Sequence, residues 1–410
     1  MRDSRFEGWP AVAACLVAVF GLLYGCTETP TGKKYTEYKL GATHPRSGDQ
    51  ASVGDQQVFA IEVAVEEINA KGGVDGVPLK VIVEDNQGKP TMAVTALQKL
   101  ITVDKVPLSF TSYSTAQLAQ VPIADQNEVV MVNVGASSTE LINAGKYIVH
   151  VQPNSASYLR ISTNYMLTDL KRTGRWAILY VNEAMGRSFN LYVKTLLPKY
   201  GVKDIFEDNW ENSAVTDYRS IIAKALAFKP DTFFIGGFGN DMGLCLKQLR
   251  EAGFKGPVML SWGGGTVSEP AGLAVVDTYY GEQVIPDNDR IKALSDKLLN
   301  VKKLPFVGTQ SINSYDAVYM VAEAIKYAKD HYGPDYFTGP NLRKALVEKK
   351  DYATLSTPGV MDPATQYLSR QLAVKSWDAE GGKLKPPKTI KVYTPTEFDA
   401  APAGDLQKKS

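Results

Sequence analysis

Cysteine and histidine are scarce in this chain, and neither sign of charge is in excess. Three Cys and three His occur among 410 residues, and they do not recur at the spacing of a zinc motif. Lys and Arg total 45 against 44 Asp and Glu, a net charge of +1. The composition therefore does not favour a disulfide scaffold, a metal centre or binding to nucleic acid.

The glycine-rich and nucleophile motifs of common enzymes are also missing. The chain has no GxGxxG, GxxxxGK[ST], GxSxG or SxxK sequence. The sequence therefore lacks the usual motifs of dinucleotide binding, phosphoryl transfer and serine acyl transfer. We therefore expect a protein that is not an enzyme and that needs no cofactor. The lone cysteine of the chain body, Cys245, is expected to be a buried helix thiol and not a nucleophile.

One long apolar run stands at the N-terminus. Arg2 and Arg5 precede an uncharged stretch over 8–27, which ends in Leu-Tyr-Gly-Cys at Cys26. This pattern predicts a signal peptide with a lipobox over 1–26, in which Cys26 is lipidated and becomes the first residue after cleavage, followed by a tether over 27–35. A cleaved signal without lipid and an uncleaved anchor remain open. Each of the three places the rest of the chain outside the cytoplasm.

Apolar residues in the body of the chain repeat with two alternating periods. Residues 58–68 repeat at spacings of three and four, which predicts a helix, and residues 79–83 alternate, which predicts a strand. Further strands are predicted at 106–110, 129–134, 176–181, 232–235 and 258–261, and further helices at 94–101, 115–126, 188–197, 218–228 and 241–252. This alternation is typical of parallel sheets covered on both faces. The chain contains more strand–helix units than one sheet of ordinary size can hold. We therefore expect an α/β protein with two doubly wound lobes.

The loops that follow the predicted strands are rich in small and hydroxyl-bearing residues. In doubly wound sheets, ligands lie beyond the carboxyl ends of the strands. Ser112 and Ser137 stand in two such loops, each just before a predicted helix or turn. Hydroxyls beside a helix N-terminus suit an anionic group such as a carboxylate. The alternative is that the neighbouring hydroxyls, such as Ser114 and Ser138, only cap the next helix.

Several motifs resemble those of the leucine/isoleucine/valine-binding proteins, the type I periplasmic solute-binding proteins of branched-chain amino-acid ABC transporters. The resemblance extends from about Tyr38 to Tyr393. The matching residues are Ile68-Asn69-Ala70-Lys71-Gly72-Gly73-Val74, Gly76, Val83-Glu84-Asp85, Ser47-Gly48, Gly54, Gly135-Ala136, Gly236-Gly237, Met242-Gly243 and Ser314-Tyr315-Asp316-Ala317-Val318.

The resemblance implies two lobes joined by three chain crossings, which close on a small solute. Lobe 1 is expected at 36–151 plus 287–368, and lobe 2 at 152–286 plus 369–395, with a tail over 396–410. The crossings are expected near Val151, Ile285 and Leu372. The implied partner is an ABC permease in the inner membrane, and the protein itself is expected to be a monomer in the periplasm.

The resemblance also implies the ligand-binding residues. Ser112, Ala136 and Ser137 match the positions that hold the ligand α-carboxylate, and Phe238 and Tyr315 are further expected contacts. The family's cleft tyrosine, which precedes a glycine, is replaced by Met185. The family's disulfide is absent, since the matching positions are Gln87-Gly88 and Thr111.

A further departure concerns the acid that pairs with the ligand ammonium. The matching stretch 261–266 reads Ser-Trp-Gly-Gly-Gly-Thr and contains no acid. A buried ammonium without a charged partner is costly. Either Glu183 or Asp241 replaces the acid, or the ligand lacks an ammonium and Trp262 offers an apolar wall to an aromatic carboxylate or short amide. The expected function is capture of an amino acid or related carboxylate for an ABC importer. A sensor module and a doubly wound enzyme are the alternatives.

Overall fold

The computed structural model describes residues 34–394, except 49, 213, 305 and 306. The predicted signal peptide, Cys26, most of the predicted tether and the predicted tail over 396–410 lie outside these residues. Within the described part of the chain, no helix has both the length and the apolarity needed to cross a bilayer.

The first sheet is built from the N-terminal third of the chain. Its five parallel strands lie in the order β2-β1-β3-β4-β5. The elements are β1 (Tyr38–His44), α1 (Ala51–Ala70), β2 (Leu79–Asp85), α2 (Pro90–Thr102), β3 (Leu108–Thr111), α3 (Ser114–Gln126), β4 (Val130–Asn133) and β5 (Ile148–His150), with a 3-10 turn at Thr139–Leu141. Every residue of β3 and β4 is buried, as expected for central strands with helices on both faces.

The chain then leaves this sheet and builds a second one. The elements are α4 (Ser155–Asn164), β6 (Trp176–Val181), α5 (Ala184–Leu196), β7 (Ile205–Trp210), α6 (Arg219–Ala227), β8 (Thr232–Gly236), α7 (Asn240–Glu251), β9 (Val258–Leu260), α8 (Gly265–Ala271) and β10 (Thr278–Gln283). Short π or 3-10 turns at Tyr165–Asp169, Leu197–Tyr200 and Gly272–Val275 follow α4, α5 and α8. Cys245 lies fully buried on α7, which confirms the predicted buried thiol.

The following segment returns to the first sheet. It contains α9 (Asp289–Asp296), a π turn at Lys297–Val301, α10 (Thr309–His331), α11 (Gly339–Glu348) and the small antiparallel strands β11 (Asp351–Tyr352), β12 (Gly359–Met361) and β13 (Leu368–Ser369). Leu298, Val318 and Leu346 of this segment share one hydrophobic core with Leu40 of β1 and Ile61 of α1. We call this core and its sheet the first lobe.

The last described residues complete the second sheet. They form β14 (Leu372–Ser376), β15 (Ala379–Glu380), β16 (Lys383–Leu384) and β17 (Lys388–Tyr393). The second sheet has the order β17-β14-β10-β9-β8-β6-β7, and it is parallel except where β14 pairs antiparallel with β10 and β17. We call this sheet and its helices the second lobe. The chain thus passes between the lobes after β5, after β10 and after β13.

Most predicted elements lie close to their expected positions. The strand predicted at 176–181 is β6, and the helix predicted at 115–126 is α3 with one more residue at its start. The helix predicted at 188–197 begins four residues earlier, as α5. The expectation of purely parallel sheets misses β14 and β17, which add an antiparallel edge to the second lobe.

Candidate ligand-binding site

A cavity of about 360 Å³ lies between the two lobes. The loops that line it follow the carboxyl ends of β3, β4, β6, β8 and β9, as expected for doubly wound sheets. Its volume is within the range of small-molecule sites. The predicted site residues that line it are Ser112, Ser137, Glu183, Met185, Phe238 and Trp262.

The first-lobe wall presents a serine hydroxyl beside a helix start. Ser112 follows β3 directly, and its Oγ accepts a hydrogen bond from Gln57 Nε2 at 2.9 Å. The next residue, Tyr113, has a φ of 76°, an unusual conformation for a bulky residue, and it precedes the first turn of α3. The first amides of a helix have no partner within the helix. This wall therefore combines a hydroxyl with amide donors, which suits a carboxylate.

The amide of Ala136 is not part of this wall. Asn133, the last residue of β4, accepts hydrogen bonds on Oδ1 from the Gly135 and Ala136 amides at 3.1 and 2.8 Å. The Ala136 side chain is buried in a small core with Leu97. Gly135 and Ser137 line the cavity, whereas Ala136 does not. The structure therefore corrects the expected carboxylate contact of Ala136, because its amide already has an acceptor.

The second-lobe wall is largely aromatic. Phe238 and Trp262 are partly buried there, and Tyr280 of β10 is fully buried beneath Gly263. A Cβ on Gly263 would lie 2.2 Å from the Tyr280 ring, so only glycine allows this close approach. The ring of Tyr280 packs against Trp377 on its other side, with centroids 4.6 Å apart. This wall presents flat apolar surface to a ligand.

Two carboxylates reach the cavity from the second lobe. Glu183 stands at the start of α5 and is partly buried. Glu282 on β10 accepts a salt bridge from Lys375 on β14, with Nζ and Oε2 2.7 Å apart. Sequence reasoning missed both members of this pair. Their strands pair antiparallel, and that pairing is set by the tertiary fold and not by a local motif.

Gln152 and Tyr158, on the first crossing and on α4, also line the cavity and were not predicted. Gln152 Oε1 accepts a hydrogen bond from Asn313 Nδ2 of α10 at 2.6 Å. Asn313 in turn accepts one from Arg370, which is fully buried on the third crossing. The cavity is therefore connected by hydrogen bonds to two of the three passages between the lobes.

Asp241 lies outside the cavity, which corrects its candidacy as an ammonium partner. Its Oδ1 accepts hydrogen bonds from the amides of Phe238, Gly239 and Met242 at 2.8 to 2.9 Å. The side chain is buried, and burial raises its pKa against the opposing effect of these bonds. Asp241 thus stabilises the start of α7 and does not face a ligand.

Tyr315 also lies outside the cavity. It stands on α10 within the first-lobe core, and its hydroxyl donates to Glu67 on α1. Glu67 accepts further hydrogen bonds from Tyr319 and from Lys297. Tyr315 therefore holds α10 against α1, and the structure corrects its expected contact with a ligand.

Among the residues that the structure describes, no three His, Cys, Asp or Glu side chains converge as a metal ion requires.

Comparison with known proteins assigns the chain to a family. The sequence profile described as "Periplasmic binding protein" matches residues 37–383. The chain belongs to the periplasmic binding protein family. One relative, the Leu/Ile/Val-binding protein homolog 7 of Brucella abortus (strain 2308), is 26% identical over 248 residues, or 58% of this chain. The match spans only 62% of that relative's length.

Solved structures of periplasmic binding proteins share the fold. The Leu-, Ile-, Val-, Thr- and Ala-binding protein from Brucella ovis, in its closed conformation, is 20% identical with a TM-score of 0.78, over 90% of this chain and 98% of that chain. A solute-binding protein of an ABC transporter from Rhodopseudomonas palustris BisB5, in complex with 3,4-dihydroxybenzoic acid, is 20% identical with a TM-score of 0.74, over 88% and 98%. The fold therefore occurs in proteins that are named for, or solved with, chemically different ligands.

Proposed function

We propose that this protein captures a small organic carboxylate between its two lobes and delivers it to an ABC importer. The observation that carries the proposal is the cavity of about 360 Å³, whose walls come from both lobes. A ligand that contacts both walls stabilises the closed arrangement over the open one. The partner in this proposal is a permease in the inner membrane, which recognises the closed, loaded monomer.

The carboxylate end of the ligand lies at the first-lobe wall in this proposal. Ser112 supplies a hydroxyl donor, and Ser137 supplies a second one when its proton turns from the long contact with the Met185 thioether to the ligand. The first turn of α3 supplies amides and a favourable helix dipole. Both serines are at most 4% exposed, so their hydrogen bonds to a ligand form away from bulk water. Such bonds to a charged group are stronger than bonds between neutral groups.

The preferred ligand is an amino acid whose ammonium lies near Glu183. Asp241 is excluded from this role because it does not line the cavity, and three amides hold its Oδ1 at the start of α7. Glu183 lines the cavity opposite the first-lobe serines, and its carboxylate supplies the charge that the stretch 261–266 lacks. Phe238, Met185 and Trp262 then enclose the side chain of the ligand.

A second candidate is an aromatic carboxylate without an ammonium. The specific observation in its favour is the sequence Trp262-Gly263-Gly264-Gly265, which lines the cavity. It places an indole ring and glycine backbone at the position where the resembled family has an acidic residue. Aromatic side chains stack well on aromatic ligands. The carboxylate of such a ligand uses the same first-lobe wall.

Closure takes place about the three crossings near Val151, Ile285 and Leu372. The lobes in this proposal are 36–151 plus 287–368 and 152–286 plus 369–395. Residues 1–26 carry the signal peptide and its lipobox, cleavage before Cys26 makes that cysteine the first residue, and lipid on it holds the protein at the membrane facing the periplasm. Globomycin inhibition of processing, together with Cys26→Ser, tests the lipid anchor.

A thermal-shift panel tests the ligand class. The panel contains L-leucine, L-valine, L-alanine, 3,4-dihydroxybenzoate and acetamide. A ligand at a hundred times its Kd adds about 2.7 kcal/mol to the free energy of unfolding. A shift with amino acids supports the preferred ligand, and a shift with the aromatic acid alone supports the second candidate. No shift with any carboxylate contradicts the proposed function.

A further inference from the structure

A buried glutamine contacts the serine at the carboxylate end of the cavity. Gln57 lies on α1, is fully buried and does not itself line the cavity. Its Nε2 donates to Ser112 Oγ at 2.9 Å. Ser112 is 1% exposed and does line the cavity. Gln57 therefore reaches the ligand space only through Ser112.

The direction of this hydrogen bond decides whether Ser112 can donate its hydroxyl proton to a ligand in the cavity. A serine hydroxyl has one proton to donate and two lone pairs that accept. Because Gln57 Nε2 is a donor, Ser112 uses a lone pair for this contact and keeps its proton. That proton is then available to the cavity, where a carboxylate accepts it. A hydrogen-bond acceptor in place of Nε2 would consume the proton instead.

The surroundings of Gln57 favour this amide orientation. Burial lowers the pKa of His44 to about 3, against a smaller opposing effect of the neighbouring Gln57 amide, so the ring is neutral and carries one N–H. Gln57 Oε1 and both ring nitrogens of His44 are buried and make no hydrogen bond in the described structure. The imidazole N–H and the amide oxygen complement each other, which leaves Nε2 for Ser112.

A glycine makes room for this contact. An ideal Cβ on Gly135 would lie 2.1 Å from Gln57 Nε2 and 2.5 Å from Ser112 Oγ. Any side chain at this position would therefore push the amide and the hydroxyl apart. The glutamine, the serine and the glycine thus form one packed unit at the end of the cavity.

We propose that Gln57 is a positioning residue that holds the Ser112 hydroxyl as a hydrogen-bond donor to the ligand carboxylate. This inference rests on the proposed function, since it assigns a role to Ser112 in carboxylate binding. It adds a residue from outside the cavity to the determinants of affinity.

A double-mutant cycle tests the proposal. Calorimetry measures the Kd of L-leucine and of 3,4-dihydroxybenzoate for wild type, Gln57→Met, Ser112→Ala and the double variant. Gln57→Met keeps the length of the side chain and removes the donor. We expect it to weaken carboxylate binding about tenfold in wild type. In the Ser112→Ala background we expect no further loss, because the group that Gln57 positions is gone.

A purely structural role of Gln57 gives a different result. Gln57→Met would then weaken binding by the same factor in both backgrounds, and this outcome overturns the inference while leaving the proposed function intact. Absence of binding of both probes to wild type contradicts the proposed function itself. Gln120→Met, at a buried glutamine bonded to Thr43 and to the Ala93 carbonyl, is the matched control and should leave both Kd values unchanged.

Gln57→Glu provides a second variant if Gln57→Met does not fold. The ionisable groups near this position are the neutral His44 on β1 and the cationic Arg46 in the loop that follows it. A carboxylate at position 57 accepts the Ser112 proton and repels the ligand, so we expect a larger loss than with Gln57→Met. Wild-type affinity of Gln57→Glu for both probes would overturn the inference.

Discussion

Ser137 of the first lobe donates a hydrogen bond to the thioether of Met185 in the second lobe, with Oγ and Sδ 3.9 Å apart. The Ser137 carbonyl also accepts a hydrogen bond from the Ser155 amide at 2.7 Å, just after the first crossing. Both Ser137 and Met185 line the cavity. Because this contact joins side chains of different lobes, it forms only when the lobes lie close together.

The closed arrangement predicts a change of shape on ligand binding. Small-angle scattering should show a smaller radius of gyration after addition of a ligand from the thermal-shift panel, because only the closed form brings both walls to the ligand. The variant Ser112→Ala/Ser137→Ala, at the same ligand concentration, should compact less. An unchanged radius of gyration at saturating ligand would count against the hinged trap.

Removal of either cavity serine should weaken carboxylate binding. We expect Ser112→Ala and Ser137→Ala each to cost about 1–3 kcal/mol of binding free energy, the usual effect of removing one partner of a buried hydrogen bond. Calorimetry with the ligand that binds most tightly measures this. Ser109→Ala is the control, because Ser109 lies on β3 just before Ser112 but outside the cavity. Unchanged affinity in both cavity variants would remove the proposed carboxylate site.

Glu183 distinguishes the two ligand classes. If the ligand is an amino acid, Glu183→Gln should weaken L-leucine binding by about 1.5–3 kcal/mol, since it removes the charged partner of the ammonium. Binding of 3,4-dihydroxybenzoate should stay the same or tighten, because a negative charge leaves the cavity. The exposed Glu140 provides the control Glu140→Gln. Equal affinity of wild type and Glu183→Gln for L-leucine would eliminate Glu183 as the ammonium partner.

Two buried histidines should make the protein less stable in mild acid. Burial lowers the pKa of His44 and of His150 from 6.5 to about 3. Between these values the unfolded chain binds protons that the folded chain excludes, so the free energy of unfolding falls as the pH drops from 6.5 towards 3. Each histidine contributes about 1 kcal/mol per pH unit.

Urea unfolding between pH 4 and pH 7 measures this slope. His44→Leu and His150→Leu should each make the pH dependence shallower, because a leucine binds no proton. The exposed His331 offers His331→Gln as a control for the substitution itself. A slope that both leucine variants leave unchanged would assign the acid sensitivity to other groups.

The third crossing carries a buried ion pair whose rupture should be costly. Arg370 and Asp316 are at most 2% exposed, and Arg370 Nη1 lies 3.3 Å from Asp316 Oδ2. Arg370→Met leaves Asp316 without its cation, and we expect a loss of about 3–5 kcal/mol in the free energy of unfolding. The double variant Arg370→Met/Asp316→Asn should recover part of that loss, because no unpaired charge stays buried.

Chemical denaturation compares these variants with Lys388→Met, which breaks an exposed pair with Asp378 and should cost less than about 1 kcal/mol. If the double variant is less stable than Arg370→Met, the cost of the single change comes from packing and not from the orphaned charge.

Local periodicity was sufficient for much of the fold. β6 and β8 are continuous apolar runs because both are interior strands covered by helices, and both were predicted within one residue. β7 was missed because Glu207 and Asp208 interrupt its apolar pattern. β7 is the edge strand of its sheet, and an edge strand tolerates such charges.

The candidate site shows the same division. Ser112, Ser137 and Trp262 were predicted from loops that follow strands, and the cavity brings them together as parallel sheets require. Tyr280, Glu282 and Lys375 were not predicted. They lie on β10 and β14, whose antiparallel pairing depends on the chain returning to the second lobe after some ninety residues in the first.

The sequence by itself determined the alternation of strands and helices, the family, and the absence of an acid at 261–266. Only the tertiary structure decided which carboxylates line the cavity. Asp241 and Glu183 both follow a strand of the second sheet, yet the amides at the start of α7 bind Asp241, and Glu183 lines the cavity. The physical reason is that a carboxylate near a helix start turns towards the backbone amides that it can reach. Those amides take their positions only when the helix has packed against the strand.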